Sequence, residues 1–203
     1  MSTKRPYAMR ARAKSVEETR RRILDAAVRL ADDRLIADIS LSATAETAGV
    51  SVQTVLRQFG TRARLIEAAT EHALTMVGEE RRTVPGDVDA AVSTVLAHYE
   101  ARGDATLLLL AQEQTDPVVR RITDAAKQLH RIWVTDSFAP QLAANDDNEE
   151  LVDLLVVATD LYTWKLLRRD RGLSRRRVHQ RMTALVRAVL TAVPTTQIGE
   201  EDG

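Results

Sequence analysis

Between residues 40 and 61 the sequence places Ser40, Ser51 and Thr61 at the heads of three successive segments, and Gly49 and Gly60 at the feet of the first two. A serine or threonine side chain accepts a hydrogen bond from the free amides of a helix's first turn. A glycine takes the left-handed conformation in which helices end. The pattern predicts short helices over Leu41–Ala48 and Val52–Phe59, with a further helix starting after Thr61. A glycine turn and a capping serine, Gly49-Val50-Ser51, join the first two, and small Ala45 and Ala48 let them cross closely. This is the layout of a helix-turn-helix, whose second helix enters a DNA major groove N-terminus first.

The remaining chain is also helical in period. Ile23, Ala26, Ala27 and Leu30 recur at the spacing of one helix face. Ser15 stands ahead of them as a cap, with Glu17 and Glu18 near the helix's positive end. Residues 1–14 hold five basic and no acidic residues and are expected to form a flexible basic arm. Leu65, Ala69, His72 and Met76 line one side of the fourth helix. Pro85-Gly86 marks a boundary. Beyond it, helices are expected near 87–101, 104–113, 117–138, 148–170 and 174–192, with a polar loop at 145–148 and a frayed tail at 194–203. Strand signals are weak: aromatics are 3%, and no Asn-Gly or Asp-Gly pair sits between two apolar runs. The expected fold is all-α. A basic arm covers 1–15, a three-helix helix-turn-helix domain with its connecting fourth helix covers 16–82, and a helical domain covers 83–203.

Composition narrows the function classes. The chain has no cysteine, so disulfide scaffolds and cysteine-ligated metal sites are excluded. The longest wholly apolar runs, 107–111 and 154–158, fall far short of the ~20 residues of a membrane span. The basic N-terminus has no apolar stretch after it, so a cytoplasmic location is expected. No glycine-rich phosphate loop, G-x-S-x-G elbow or H-E-x-x-H motif occurs. The four histidines lack metal-ligand spacing. Hence no enzyme, cofactor or metal site is expected. The formal net charge is zero, yet residues 1–82 carry fifteen Lys and Arg against eleven Asp and Glu, and the rest carry fourteen against eighteen. A basic front accompanies polyanion-binding modules.

In the third helix Val50 and Val55 face the core, which leaves Ser51, Val52, Gln53, Thr54, Arg57 and Gln58 as the candidate DNA contacts, joined by Arg62 at the start of the fourth. Gln can pair bidentately with adenine, and Arg can fork onto guanine or hold a phosphate. Ser51 and Thr54 can donate to phosphates beside the helix's own amides. The plain alternative for these residues is a solvated helical hairpin.

The segments RRRILDAAVRLADD (20–33), AGVS (48–51), SVQTVLRQF (51–59) and TRARLIEAA (61–69) together resemble the N-terminal domain of tetracycline-repressor-type (TetR/AcrR) transcriptional regulators. The stretches DPVVRR at 116–121 and LYTWKLLRRDRGLSR at 161–175 are similar to parts of many family members. The chain departs from the pattern where the family often has Tyr and this sequence has Leu56, and where His or Tyr is usual and it has Gln58. Arg62 replaces a customary Lys, and Thr44 a customary Ile or Val. Leu56 cannot donate to a phosphate; the basic residues Lys4, Arg5, Arg10, Arg12 and Lys14 offer a substitute along a groove.

The resemblance implies a homodimer on a palindromic double-stranded operator, with no membrane partner, and a ligand-binding and dimerisation domain holding an unidentified small-molecule effector. Two apolar-faced segments fit the dimer: Val178, Met182, Leu185, Val186, Val189, Leu190 and Val193 in the last helix, and Leu151, Leu154, Leu155, Ala158, Leu161, Tyr162 and Leu166 before it, with Val152, Val156 and Val157 on a second side. A helix apolar on more than one side buries more than one face. Candidate ligand-lining residues are Tyr99, Leu108, Gln112, Trp133, Phe138, Tyr162 and Trp164, which would suit an apolar or aromatic effector. The same residues fit an ordinary core, and His98 and His130 fit half-buried positions. The arginines at 168, 169, 171 and 175–177 fit a solvated corner. The resemblance thus points to a ligand-responsive regulator, more often a repressor. The alternative is a helical small-molecule-binding or adaptor protein whose head does not read DNA specifically.

Overall fold

Helix α1 runs from Lys4 to Ala31, so it begins well before the expected cap at Ser15. Ala8, Met9, Ala11, Ala13 and the arginines and lysine among them are strong helix formers. Pro6 falls in the first turn, where its missing N–H costs nothing. Ser15 stays within the helix, and its carbonyl accepts from the Thr19 hydroxyl at 2.8 Å. The computed structural model describes residues 4–144 and 148–192, and every regular element among them is helical. Asn145 to Asp147, Val193 and the tail 194–203 lie outside the described residues.

After α1 come a 3₁₀ turn at Ile36–Asp38, then α2 (Leu41–Ala48), α3 (Val52–Phe59) and α4 (Arg62–Glu80). These are followed by α5 (Val88–Gln112), α6 (Pro117–Ser137), α7 (Ala139–Leu142), α8 (Asn148–Thr159) and α9 (Leu161–Lys165). A π-helical turn, Leu166–Asp170, leads to α10 (Arg175–Ala192). Two expectations change. The break expected at 102–103 is absent, and α5 is continuous. The helix expected over 148–170 is interrupted at Asp160, which is extended (φ −68°, ψ 154°) and caps the Tyr162 amide.

The described chain divides into two compact units: residues up to Met76 with 105–122, and 77–104 with the residues from 123 onward. This differs from a division at 82–83, because 105–122 belongs to the first unit. There Leu109, Val118, Val119 and Ile122 pack with Leu30, Ile36, Ile39 and Ile66, and Gln112 Oε1 accepts from the Ile36 amide at 3.2 Å.

The first unit's other core cluster joins Ile23, Leu24, Ala26 and Ala27 of α1 to Ala45, Ala48, Val55, Phe59, Leu65 and Ala69. Each fully buried large apolar side chain contributes roughly 1.5–3 kcal/mol. In the second unit, α10 packs along α8 through buried Val178, Met182 and Val186 on one side and Leu151, Leu155 and Ala158 on the other.

Gly103, in the middle of α5, has a packing reason. A Cβ there would lie 2.5 Å from the Trp164 ring, which is fully buried. The glycine is the space the indole occupies.

Candidate functional site

The turn between α2 and α3 is built from local capping bonds. Ser40 Oγ accepts from the Ala43 amide at 3.0 Å. Gly49 sits at φ 65°, ψ 41°, and its N–H reaches the Ala45 and Glu46 carbonyls. The Val50 amide donates to the Ala45 carbonyl at 3.0 Å, which completes the left-handed helix ending. Ser51 Oγ then accepts from the Thr54 amide at 3.1 Å and pairs with the Thr54 hydroxyl at 2.9 Å. Two hydroxyl protons serve one mutual bond, so one is left for an outside acceptor. Thr44 is fully buried, and its hydroxyl is satisfied by the Ser40 carbonyl at 2.9 Å.

Helix α3 is anchored on one side only. Val55 and Phe59 are buried, and Arg20 lies over the Phe59 ring with its guanidinium carbon 4.7 Å from the centroid. Ser51, Val52, Gln53 and Arg57 are exposed, while Thr54, Leu56 and Gln58 are half-buried. Six of the seven candidate DNA contacts therefore lie on or beside the open side of one helix.

Arg62 is the exception, because its side chain is engaged by the fold. Its Nε donates to the Ile39 carbonyl at 2.6 Å, and its Nη2 donates to the Ile36 carbonyl. The side chain ties the start of α4 to the 3₁₀ turn, where the Ile36 carbonyl also accepts from the Ile39 amide at 3.2 Å, so Arg62 positions the fold around α3.

The candidate ligand residues do not form one set. Leu108 and Gln112 belong to the first unit, and Gln112 is occupied on both sides by the Ile36 amide and the Leu108 carbonyl. Tyr162 is 55% exposed. Trp164 is buried, hydrogen-bonded to Glu100 at 2.9 Å, with Arg169 over its ring at 4.6 Å. Phe138 is buried against the edge of Trp133 at 6.3 Å. Tyr99 is buried and donates to the Thr159 carbonyl at 3.1 Å. Tyr99 and Trp133 flank a polar group that sequence reasoning missed.

That group is centred on Arg81, which is 7% exposed. Its Nη1 meets His130 Nδ1 at 3.3 Å, its guanidinium lies 5.2 Å from the Tyr99 ring centroid, and its carbonyl accepts from the Trp133 indole at 2.8 Å. His130 stacks on Trp133 at 5.5 Å, and its Nε2 meets the Thr159 hydroxyl at 3.2 Å. Arg81 Nε is buried without a hydrogen-bond partner, as is His98 Nδ1. Glu80 pairs instead with Arg102 at 3.3 Å and approaches His98 at 3.5 Å. Among the described residues Arg81 thus makes no direct ion pair, and Glu80 and Asp160 act on its charge only from farther away. Burying a charge without a directly paired counter-ion costs on the order of several kcal/mol. Burial accordingly pulls the Arg81 pKa down. Burial, with the Arg81 charge behind it, also lowers His98 to about 3 and His130 to about 4. Both rings are neutral at pH 7. Burial raises the Tyr99 phenol. In sequence, Arg81 follows Glu79 and Glu80 and precedes Arg82, and such a run looks like a solvated helix end.

Of the arginine-rich corner, Arg168 pairs with Glu100 at 2.8 Å and Arg169 with Asp104 through two bonds of 2.9 Å. Arg175, Arg176 and Arg177 are exposed.

Comparison with known proteins follows this geometry. Residues 23–69 match the family model for bacterial regulatory proteins of the tetR family. Curated proteins yield no match. Among solved structures, a transcriptional regulator from Rhodococcus sp. Rha1 is similar at 17% identity with a TM-score of 0.64, over 85% of this chain and 96% of its own. A tetR-family transcriptional regulator from Streptomyces coelicolor is similar at 18% identity with a TM-score of 0.62, over 90% of this chain and 92% of its own. At such identities the likeness is one of fold. Residues 23–69, with their capped turn and one-sided α3, are thus similar to the N-terminal domain of the tetR family of bacterial regulatory proteins, and the chain shares the fold of these solved structures.

Proposed function

We propose that the protein is a homodimeric transcriptional regulator of the cytoplasm that reads a palindromic operator with α3 and is released from it, as a repressor, by a small-molecule effector. The observation that carries the DNA reading is the outward side of α3, where Gln53 and Arg57 stand exposed on a helix whose opposite side is fixed by Val55 and Phe59. Gln53 and Arg57 would meet base edges, and Ser51, Thr54 and Gln58 would meet the backbone. Leu56 adds no donor.

Two α3 helices on successive major grooves require a dimer with half-sites ~34–36 Å apart. Exposed apolar side chains of the C-terminal helices support one. Leu154 and Val157 of α8, Tyr162 of α9, Leu166 of the π-helical turn and Leu185 of α10 all stand open, Val157 at 62%. Pairing of these helices between two copies would cover them. The effector would act by favouring a state of the dimer whose half-site spacing no longer matches the operator.

Fluorescence polarisation of a labelled duplex from upstream of the protein's own gene tests the reading. Arg57→Ala should lose roughly 1–3 kcal/mol of specific affinity if Arg57 reads a base. Should it only hold a phosphate, the loss is uniform across sequences and the salt slope shrinks by about one. Binding without sequence preference at every salt concentration sinks the proposal in favour of a non-reading adaptor. For the dimer, Val157→Glu should shift sedimentation toward the monomer; an unchanged dimer places the interface elsewhere.

A further inference from the structure

A cleft in the second unit is lined by Arg81, Arg82, Pro85, Leu129, Ile132 and Trp133, with Asp136, Ser137, Thr83 and Gly78 completing it. Its walls are largely apolar: Ile132 is 52% exposed, and Trp133 lies behind with its indole hydrogen-bonded to the Arg81 carbonyl. Arg82 and Asp136, both exposed, carry opposite charges. The buried guanidinium therefore decides the sign of the site. Among the described residues Arg81 makes no direct carboxylate contact and its Nε has no hydrogen-bond partner; the groups against it, His130 and Tyr99, are uncharged, and Glu80 and Asp160 act on its charge only from farther away. Buried cations are usually paired directly. A guanidinium with an open Nε suits a single charge with a flat, two-oxygen face.

We propose that this cleft binds a small amphipathic carboxylate, its anion on Arg81 and its apolar body against Trp133, Leu129 and Ile132. The proposal deepens the effector-responsive reading, on which it rests for its regulatory meaning, and it replaces a purely apolar effector with an acidic one.

Tryptophan fluorescence of the full chain would be titrated with 4-phenylbutyrate and octanoate, and with the matching alcohols, 4-phenylbutanol and octanol. Each acid should bind at least tenfold more tightly than its alcohol. Arg81→Met should erase that preference and Arg81→Lys should keep part of it. Should Arg81→Met fail to fold, as judged by its thermal melt, Ile132→Glu at the exposed wall supplies the second variant. It should weaken the acids at least tenfold and the alcohols far less. Equal binding of acid and alcohol, binding of neither, or an acid preference that survives the loss of Arg81 would each overturn the proposal. Duplex binding without ligand is measured on the same protein. Acid binding with no duplex binding removes the regulator reading alone, whereas duplex binding with no acid binding removes this one alone.

Discussion

The α2–α3 turn of the first unit and the interior of the second handle polar groups in opposite ways. In the turn, polar side chains are spent within a few residues of themselves: Ser40 on Ala43, Thr44 on the Ser40 carbonyl, Ser51 on Thr54. The core they enclose is apolar, and its free polar groups point outward on α3. In the second, Arg81, His98, His130, Tyr99 and Thr159 are buried together, and their partners come from distant parts of the chain. A turn built on local satisfaction presents an outward interface. A unit that buries incompletely satisfied groups has the makings of an inward one.

The comparison breaks most visibly in acid. In the unfolded chain both histidines take up protons near the ordinary value of 6.5, but in the fold His130 does so only at about 4 and His98 at about 3. The unfolded state therefore binds more protons in this window, and stability falls as pH drops through 6.5. Each ring contributes up to about 1.4 kcal/mol per pH unit, or roughly 4 kcal/mol for both between pH 7 and pH 5. Urea unfolding followed by tryptophan fluorescence, which reports Trp133 and Trp164 of the second unit, should show this slope. A flat profile would mean the rings are not held neutral by burial.

A pair of glycines sharpens the same contrast. Gly103→Ala in the second unit should cost about 2–3 kcal/mol, because its Cβ meets the fully buried Trp164 ring at 2.5 Å. Gly49→Ala in the first unit meets nothing within 4 Å but must hold φ 65°, a backbone cost of about 1–2 kcal/mol. Gly49→Asn should recover much of that loss, since asparagine tolerates this conformation, and no asparagine can recover Gly103. Thermal melts of these three variants and of Gly103→Asn check the distinction, and equal rescue at both sites would erase it. The smallest effect is that of Ser40→Ala, about 1 kcal/mol for one helix cap, readable as a small drop in denaturation midpoint.

Legibility follows the same division. The caps at Ser40 and Ser51, the left-handed Gly49 and the buried positions of α1 could be read directly, because each depends on residues no more than a turn away. The start of α1 at Lys4 was missed because Ser15 has the chemistry of a cap but stands among strong helix formers. The bonds of Arg62 were not legible for a different reason: its partners, the Ile36 and Ile39 carbonyls, lie more than twenty positions back. The ligand candidates dispersed because aromatic type and helical spacing do not say which unit a residue joins, as Gln112 and Tyr162 show.

By itself, then, the sequence determined an all-helical chain, the capped turn before α3 and which residues of α3 face outward, since helix period and capping are short-range physics. Only the tertiary structure decided that Gly103 is space for Trp164, that Arg62 bonds the Ile36 and Ile39 carbonyls, and that Arg81 is buried without a direct carboxylate contact. Those outcomes depend on desolvation and close packing among groups far apart in sequence, where no local pattern records which side chains will meet.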